Sequence, residues 1–123
     1  MEDQLYKEII LDLNRNPHNK KELEDFDVSA REQNPLCGDD IEVRIKLTDG
    51  CVVDIGHTGT GCAISQASAS LVTDKIKGMK RDEILRIPTT DVTNMLGIAI
   101  SFSRMKCATL GHTAICKALS QNI

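Results

Sequence analysis

Between Ile41 and His57 the chain is tightly constrained. Ile41, Val43, Ile45 and Leu47 alternate with Glu42, Arg44, Lys46 and Thr48, the pattern of a strand with one buried face. Asp49-Gly50 follows, a strong two-residue hairpin turn, and Cys51–His57 reads as the returning strand. Just before this hairpin stands Asn34-Pro35-Leu36-Cys37-Gly38-Asp39-Asp40. Pro35 biases Asn34 toward extended backbone and fixes its own φ. Gly38 allows a turn sharp enough for the Cys37 thiol and the Asp39 carboxylate to reach one point. Two readings stand side by side: a loop lending two ligands to a metal, and an ordinary strand-entry turn with a half-buried cysteine. Asp40 is expected to be the solvated member of its pair, because the alternation begins there.

The 123 residues suit one domain, 1–123. With one Tyr, two Phe and no Trp, the core must be Ile, Leu, Val, Ala and Met, and aromatic stacking on bases is nearly unavailable. A net charge of −3 also argues against a phosphate-backbone partner, so no nucleic acid is expected. No apolar run is long enough to span a bilayer, so no membrane is expected either. Met1-Glu2-Asp3-Gln4 lacks a signal-peptide layout. The expected location is therefore cytoplasmic, where thiols stay reduced and five cysteines read as ligands, nucleophiles or core residues.

Residues 3–14 read as a helix burying Leu5, Ile9 and Leu13, with Tyr6 and Ile10 beside that stripe. The polar stretch 15–33 reads as an exposed, partly mobile connection that covers a site or orders against a partner. Thr58–Gly61 is a flexible junction. A helix rich in small residues is expected from Cys62 to Lys77, ended by Gly78. A short helix at Arg81–Arg86 stops at Pro88, and Thr90 can cap another running to about Ile100. The last helix, Cys107–Leu119, should turn Leu110, Ala114, Ile115, Ala118 and Leu119 inward.

Three cysteines sit at junctions: Cys37 before Gly38, Cys62 after Gly61, and Cys107 at a helix start. Such places expose a sulfur and offer backbone N–H groups to negative charge. Arg104 and Lys106 are expected to favour the Cys107 thiolate. Cys51 and Cys116 read as small apolar residues. His57 and His112 read as surface or hydrogen-bonded side chains, His112 pointing about 140° away from Cys107 on a helix.

Three stretches in order carry a resemblance: Asn34-Pro35-x-Cys37-Gly38-Asp39, Gly61-Cys62-Ala63-Ile64-Ser65 and Lys106-Cys107-Ala108-Thr109-Leu110. Together they resemble the U-type scaffold family of iron–sulfur cluster assembly, comprising IscU, the N-terminal domain of NifU, and SufU. The resemblance implies an α+β fold, a small antiparallel sheet with helices packed on it. It implies Cys37, Asp39, Cys62 and Cys107 as ligands at one exposed end. They would hold a transient iron–sulfur cluster, or Zn2+ in the same place. A cysteine desulfurase would deliver sulfur, and a downstream iron–sulfur carrier or apo-protein would receive the product. Two features depart from the subgroups. IscU-type members carry histidine where Lys106 stands, and SufU usually carries an extra segment between the second and third cysteines. Scaffold and zinc-bound sulfur acceptor, with Cys37 taking the sulfur, therefore both remain. A structural zinc interaction domain ranks below them, because tight Cys/His pairs are missing. A Cys-His hydrolase ranks lower still, with no triad-like pattern.

Overall fold

The computed structural model describes residues 2–121. In chain order the elements are α1 (Glu2–Arg15), β1 (Val28–Asn34), β2 (Asp39–Thr48), β3 (Cys51–Thr60), α2 (Ala63–Ile76), α3 (Arg81–Leu85), α4 (Thr89–Met95), a 3-10 turn (Phe102–Arg104) and α5 (Met105–Leu119). The strands form one antiparallel sheet in the order β1-β2-β3, the expected α+β architecture.

The β2–β3 hairpin is as the alternation predicts. Asp49 and Gly50 have φ of 53° and 77°, the pair of positive values a tight hairpin turn demands. Ile41, Val43 and Ile45 are fully buried. Leu47 is only half-buried, because a bulge between Lys46 and Leu47 leaves Val53 without a cross-strand partner and exposed. Strand β3 continues to Thr60, so most of the expected junction at 58–61 is sheet.

The stretch 15–33 divides in two. Residues 16–27 are mostly exposed, but hydrogen bonds tie them along β3 and α2. His57 Nε2 donates to the His18 carbonyl (2.9 Å), the His57 amide donates to the Asn19 carbonyl (2.9 Å), and the His18 amide donates to Ser70 Oγ (3.0 Å). Residues 28–34 are not a connection but strand β1. Only Val28 and Ala30 of its inward positions are apolar; Glu32 and Asn34 also point in. Glu32 meets Lys117 of α5 (3.2 Å), and Asn34 reaches the cysteines. Polar residues in the inward register hide the strand from a hydrophobicity reading.

The core lies between the sheet and α5, with α2 packed beside it. All five residues expected on the inner face of α5 are buried. Ala67, Ser68, Ala69 and Ser70 of α2 are buried too, and small size lets the helices meet closely. A Cβ on Gly111 of α5 would lie 3.3 Å from Ala69 Cα, and Ser68 Oγ donates to the Ala108 carbonyl. On α1 the buried stripe is shifted from the expected one. Ile10 and Leu13 pack against Ala67, Leu96 and Ala108, while Leu5 is 58% exposed. Residues 6, 10 and 13 recur at helical spacing as well as 5, 9 and 13 do, and the site on which Tyr6 sits selects between them. Its ring occupies the space above Gly97, where a Cβ would meet it at 2.2 Å. Gly97 also marks the early stop of the fourth helix, which ends at Met95 rather than near Ile100.

Candidate metal centre

The register of the sheet builds the site. Asn34, the last residue of β1, pairs with Asp39, the first of β2, so residues 35–38 must reverse the chain. The Cys37 amide donates to the Asn34 carbonyl (3.2 Å), and Gly38 takes φ of 72°, a value costly for a side-chain-bearing residue. The turn leaves Cys37 exposed and sends Asp39 inward at 2% exposure. Asp40 faces the other way onto Arg31, which holds its carboxyl below the usual carboxylate range. It is the solvent-side acid expected of it.

Asp39 is held at one oxygen only. Its Oδ1 accepts from the Cys62 amide (2.9 Å) and lies 3.4 Å from Ser65 Oγ, at the start of α2, where free N–H groups favour an anion. Its Oδ2 is buried and has no hydrogen-bond partner. A buried carboxylate oxygen without a donor costs free energy, and a cation is one way to satisfy it. Gly61 makes this approach possible, since a Cβ there would lie 2.2 Å from Ser65 Oγ and 2.9 Å from Asp39 Oδ1. Gly61→Ala is therefore expected to push Asp39 aside. Zinc affinity, measured by chelator competition, should fall about 10- to 100-fold, the usual cost of disturbing a ligand's support.

Cys107 lies in the first turn of α5 and is fully buried. A ligand atom from each of Cys37, Asp39 and Cys107 lies within 4.8 Å of the other two. Among the described residues this is the one group of three or more potential ligands that meets so closely. Residues far apart along the chain thus converge on one spot. Cys62, the N-cap of α2, is half-buried. Its amide donates to Asp39 Oδ1, which ties it to the site, but its sulfur stands outside the group of three.

The electrostatics of Cys107 reverse the expectation from its basic neighbours. Arg104 and Lys106 are exposed, and solvent screens them. Burial dominates and pushes the thiol well above its ordinary range, with Asp39, Cys37 and Cys62 adding to the effect. Burial away from water disfavours the charged thiolate, which neither basic neighbour offsets.

None of the three histidines joins the group. His57 is buried in the sheet and bonded to His18, with its pKa lowered by desolvation. His112 is buried on α5, its Nε2 3.5 Å from Cys116 Sγ. Cys51 and Cys116 are half-buried and also outside the group.

Two features of the site escape a sequence reading. Asn34 is buried, and its Nδ2 donates to Cys107 Sγ (3.6 Å); recognising β1 would have placed it inward. The mouth is apolar. Leu36 is 90% and Phe102 97% exposed, and with Met105, Asn34, Ser103 and Lys106 they line a recess of about 330 Å³. Large apolar residues in turns beside a cysteine were the available signal.

The chain has relatives in sequence and in fold. The zinc-dependent sulfurtransferase SufU of Bacillus subtilis (strain 168) is 34% identical over 136 aligned positions, covering 97% of this chain and 92% of that protein. The alignment has more positions than this chain has residues, so the relative carries an insertion. The iron–sulfur cluster assembly scaffold protein IscU of Escherichia coli (strain K12) is 32% identical over 119 positions, covering 94% of this chain and 91% of that one. The crystal structure of a nitrogen-fixing NifU-like protein (N-terminal) from Brucella abortus superposes with a TM-score of 0.76 at 25% identity, over 95% of this chain and 93% of that one. Residues 5–122 match the family described as NifU-like N terminal domain, and this chain belongs to that family.

Proposed function

We propose that this protein accepts sulfur from a cysteine desulfurase and assembles a labile iron–sulfur cluster on Cys37, Asp39, Cys62 and Cys107, then passes the cluster to a carrier or apo-protein. The observation that carries this reading is the meeting of an exposed thiol, a buried thiol and a half-satisfied carboxylate within 4.8 Å. Thiolates suit iron and sulfide-bridged clusters. Cys62, at the start of α2 where its amide binds Asp39, supplies the third sulfur. Asp39 is the hard member of a soft set and so the point of release.

Cys37 is the natural sulfur acceptor, because its turn exposes it. Its thiolate attacks the outer sulfur of the desulfurase persulfide. A new S–S bond forms on Cys37, and the desulfurase cysteine leaves as a thiolate. The apolar mouth is the docking surface for this encounter. Phe102→Asp and Leu36→Asp are expected to weaken stimulation of the desulfurase at least tenfold while leaving zinc affinity unchanged. Equal loss of metal would show that these residues support the site instead.

A zinc-dependent sulfurtransferase is the second reading, favoured by Lys106 before Cys107 and by the SufU relative. The donor set fits zinc, since three thiolates and the unpartnered Asp39 Oδ2 make a four-ligand site. Bound zinc would hold the thiols deprotonated and aligned. This chain's part is to free Cys37 for attack while Cys62, Cys107 and Asp39 keep their places.

The deciding experiment is anaerobic reconstitution with ferrous iron, cysteine and a desulfurase. The scaffold reading expects cluster absorbance on this chain and its transfer to an apo-ferredoxin. Stimulation of the desulfurase by zinc-loaded protein, with no cluster formed, would reject the scaffold in favour of the sulfurtransferase.

A further inference from the structure

We propose that Asn34 is a positioning residue for the bound cargo, its Nδ2 donating a hydrogen bond to the Cys107 sulfur and so governing how firmly that sulfur binds. The inference rests on the reading of Cys107 as a ligand.

Three observations carry it. Asn34 is 1% exposed, and its Nδ2 lies 3.6 Å from Cys107 Sγ. Its other amide atom, Oδ1, is buried with no hydrogen-bond partner. Its backbone carbonyl accepts from the Cys37 amide (3.2 Å). One residue thus holds the turn that presents Cys37 and touches the sulfur of Cys107, 73 residues further along the chain.

An amide with an unsatisfied buried oxygen is a poor choice for packing alone. A leucine of similar size would avoid the desolvation penalty. What the amide offers is an N–H. A metal-bound thiolate has no proton to give, so only the donor end of Asn34 can serve it. A hydrogen bond to a charged acceptor is stronger than one to a neutral thiol, so the contact gains strength when Cys107 binds metal. Hydrogen bonds to ligand sulfurs orient them and tune the electronic properties of what they hold.

Cobalt(II) is the probe, because its sulfur-to-metal charge-transfer band reports on the thiolates. Asn34→Leu and Asn34→Ala should retain cooperative thermal unfolding without metal and bind cobalt about 10- to 100-fold more weakly. Their charge-transfer band should move to longer wavelength, because a sulfur without its donor holds its electrons less tightly. A merely structural role would weaken binding without moving the band. In 113Cd-loaded wild-type protein, the Asn34 side-chain amide protons should show scalar coupling to cadmium through the N–H···S contact. This measurement needs no variant and decides the matter should both substitutions prevent folding. An unshifted band in a folded variant, or absent coupling in the wild type, overturns the role of Asn34. A wild-type protein with no thiolate-to-cobalt band at all overturns the metal-site reading itself.

Discussion

Cys107→Ala is expected to bind zinc about 100- to 1000-fold more weakly than the wild type, with its fold retained. Structural zinc sites with four ligands are worth about 10–16 kcal/mol, or roughly 2.5–4 kcal/mol for each ligand, and every 1.4 kcal/mol is a factor of ten. Cys107 is fully buried at the start of α5. Replacing its sulfur leaves a cavity of about one atom, a cost of about 1 kcal/mol to the metal-free protein. Affinity and stability should therefore separate. Competition with a chromophoric chelator measures the first, and thermal unfolding without metal the second. Cys51→Ala and Cys116→Ala should leave zinc affinity within about twofold, because Cys51 begins β3 at the hairpin turn, the far end of the strands from Asp39, and Cys116 lies nine residues along α5 from Cys107, beside His112. Comparable losses at all three positions would mean that the thiols act through the fold and not at a site.

Asp39→Ala is expected to lengthen the lifetime of a reconstituted cluster severalfold while making the metal-free protein less stable. The two effects come from the two carboxylate oxygens. Oδ1 accepts from the Cys62 amide at the start of α2, and losing a hydrogen bond to a charged group costs about 1.5–3 kcal/mol. Oδ2, buried without a partner, is the oxygen that would bind the proposed cluster. A carboxylate binds soft iron more weakly than a thiolate does, and in the proposed site Asp39, 2% exposed, would add its negative charge to that of the cysteine ligands. Removing it relieves that repulsion and takes away the ligand that exchanges most readily with water. Visible absorbance followed after adding an apo-acceptor measures the lifetime. A shorter-lived cluster would mean that Asp39 is a holding ligand and not the point of release.

What the sequence disclosed depended on how local the determining physics was. The β2–β3 hairpin was legible because Ile41, Val43 and Ile45 alternate and Asp49-Gly50 closes the turn. The opposite roles of Asp39 and Asp40 followed from the register in which that alternation begins. β1 was not legible, since two of its inward positions are Glu32 and Asn34, polar residues placed to meet Lys117 and Cys107. The side of α1 that is buried depends on a distant glycine, Gly97, under Tyr6, which no local periodicity reports. The state of Cys107 was misread for a related reason. Arg104 and Lys106 are near in sequence but face solvent, while burial and Asp39 act across space.

The central claim is that Cys37, Asp39, Cys62 and Cys107 converge on one metal. X-ray absorption at the zinc edge of the zinc-loaded wild-type protein tests it most directly. The account predicts three sulfur neighbours at about 2.3 Å and one oxygen at about 2.0 Å, falling to two sulfurs in Cys62→Ala. A first shell of nitrogen and oxygen with two sulfurs or fewer in the wild type would contradict it.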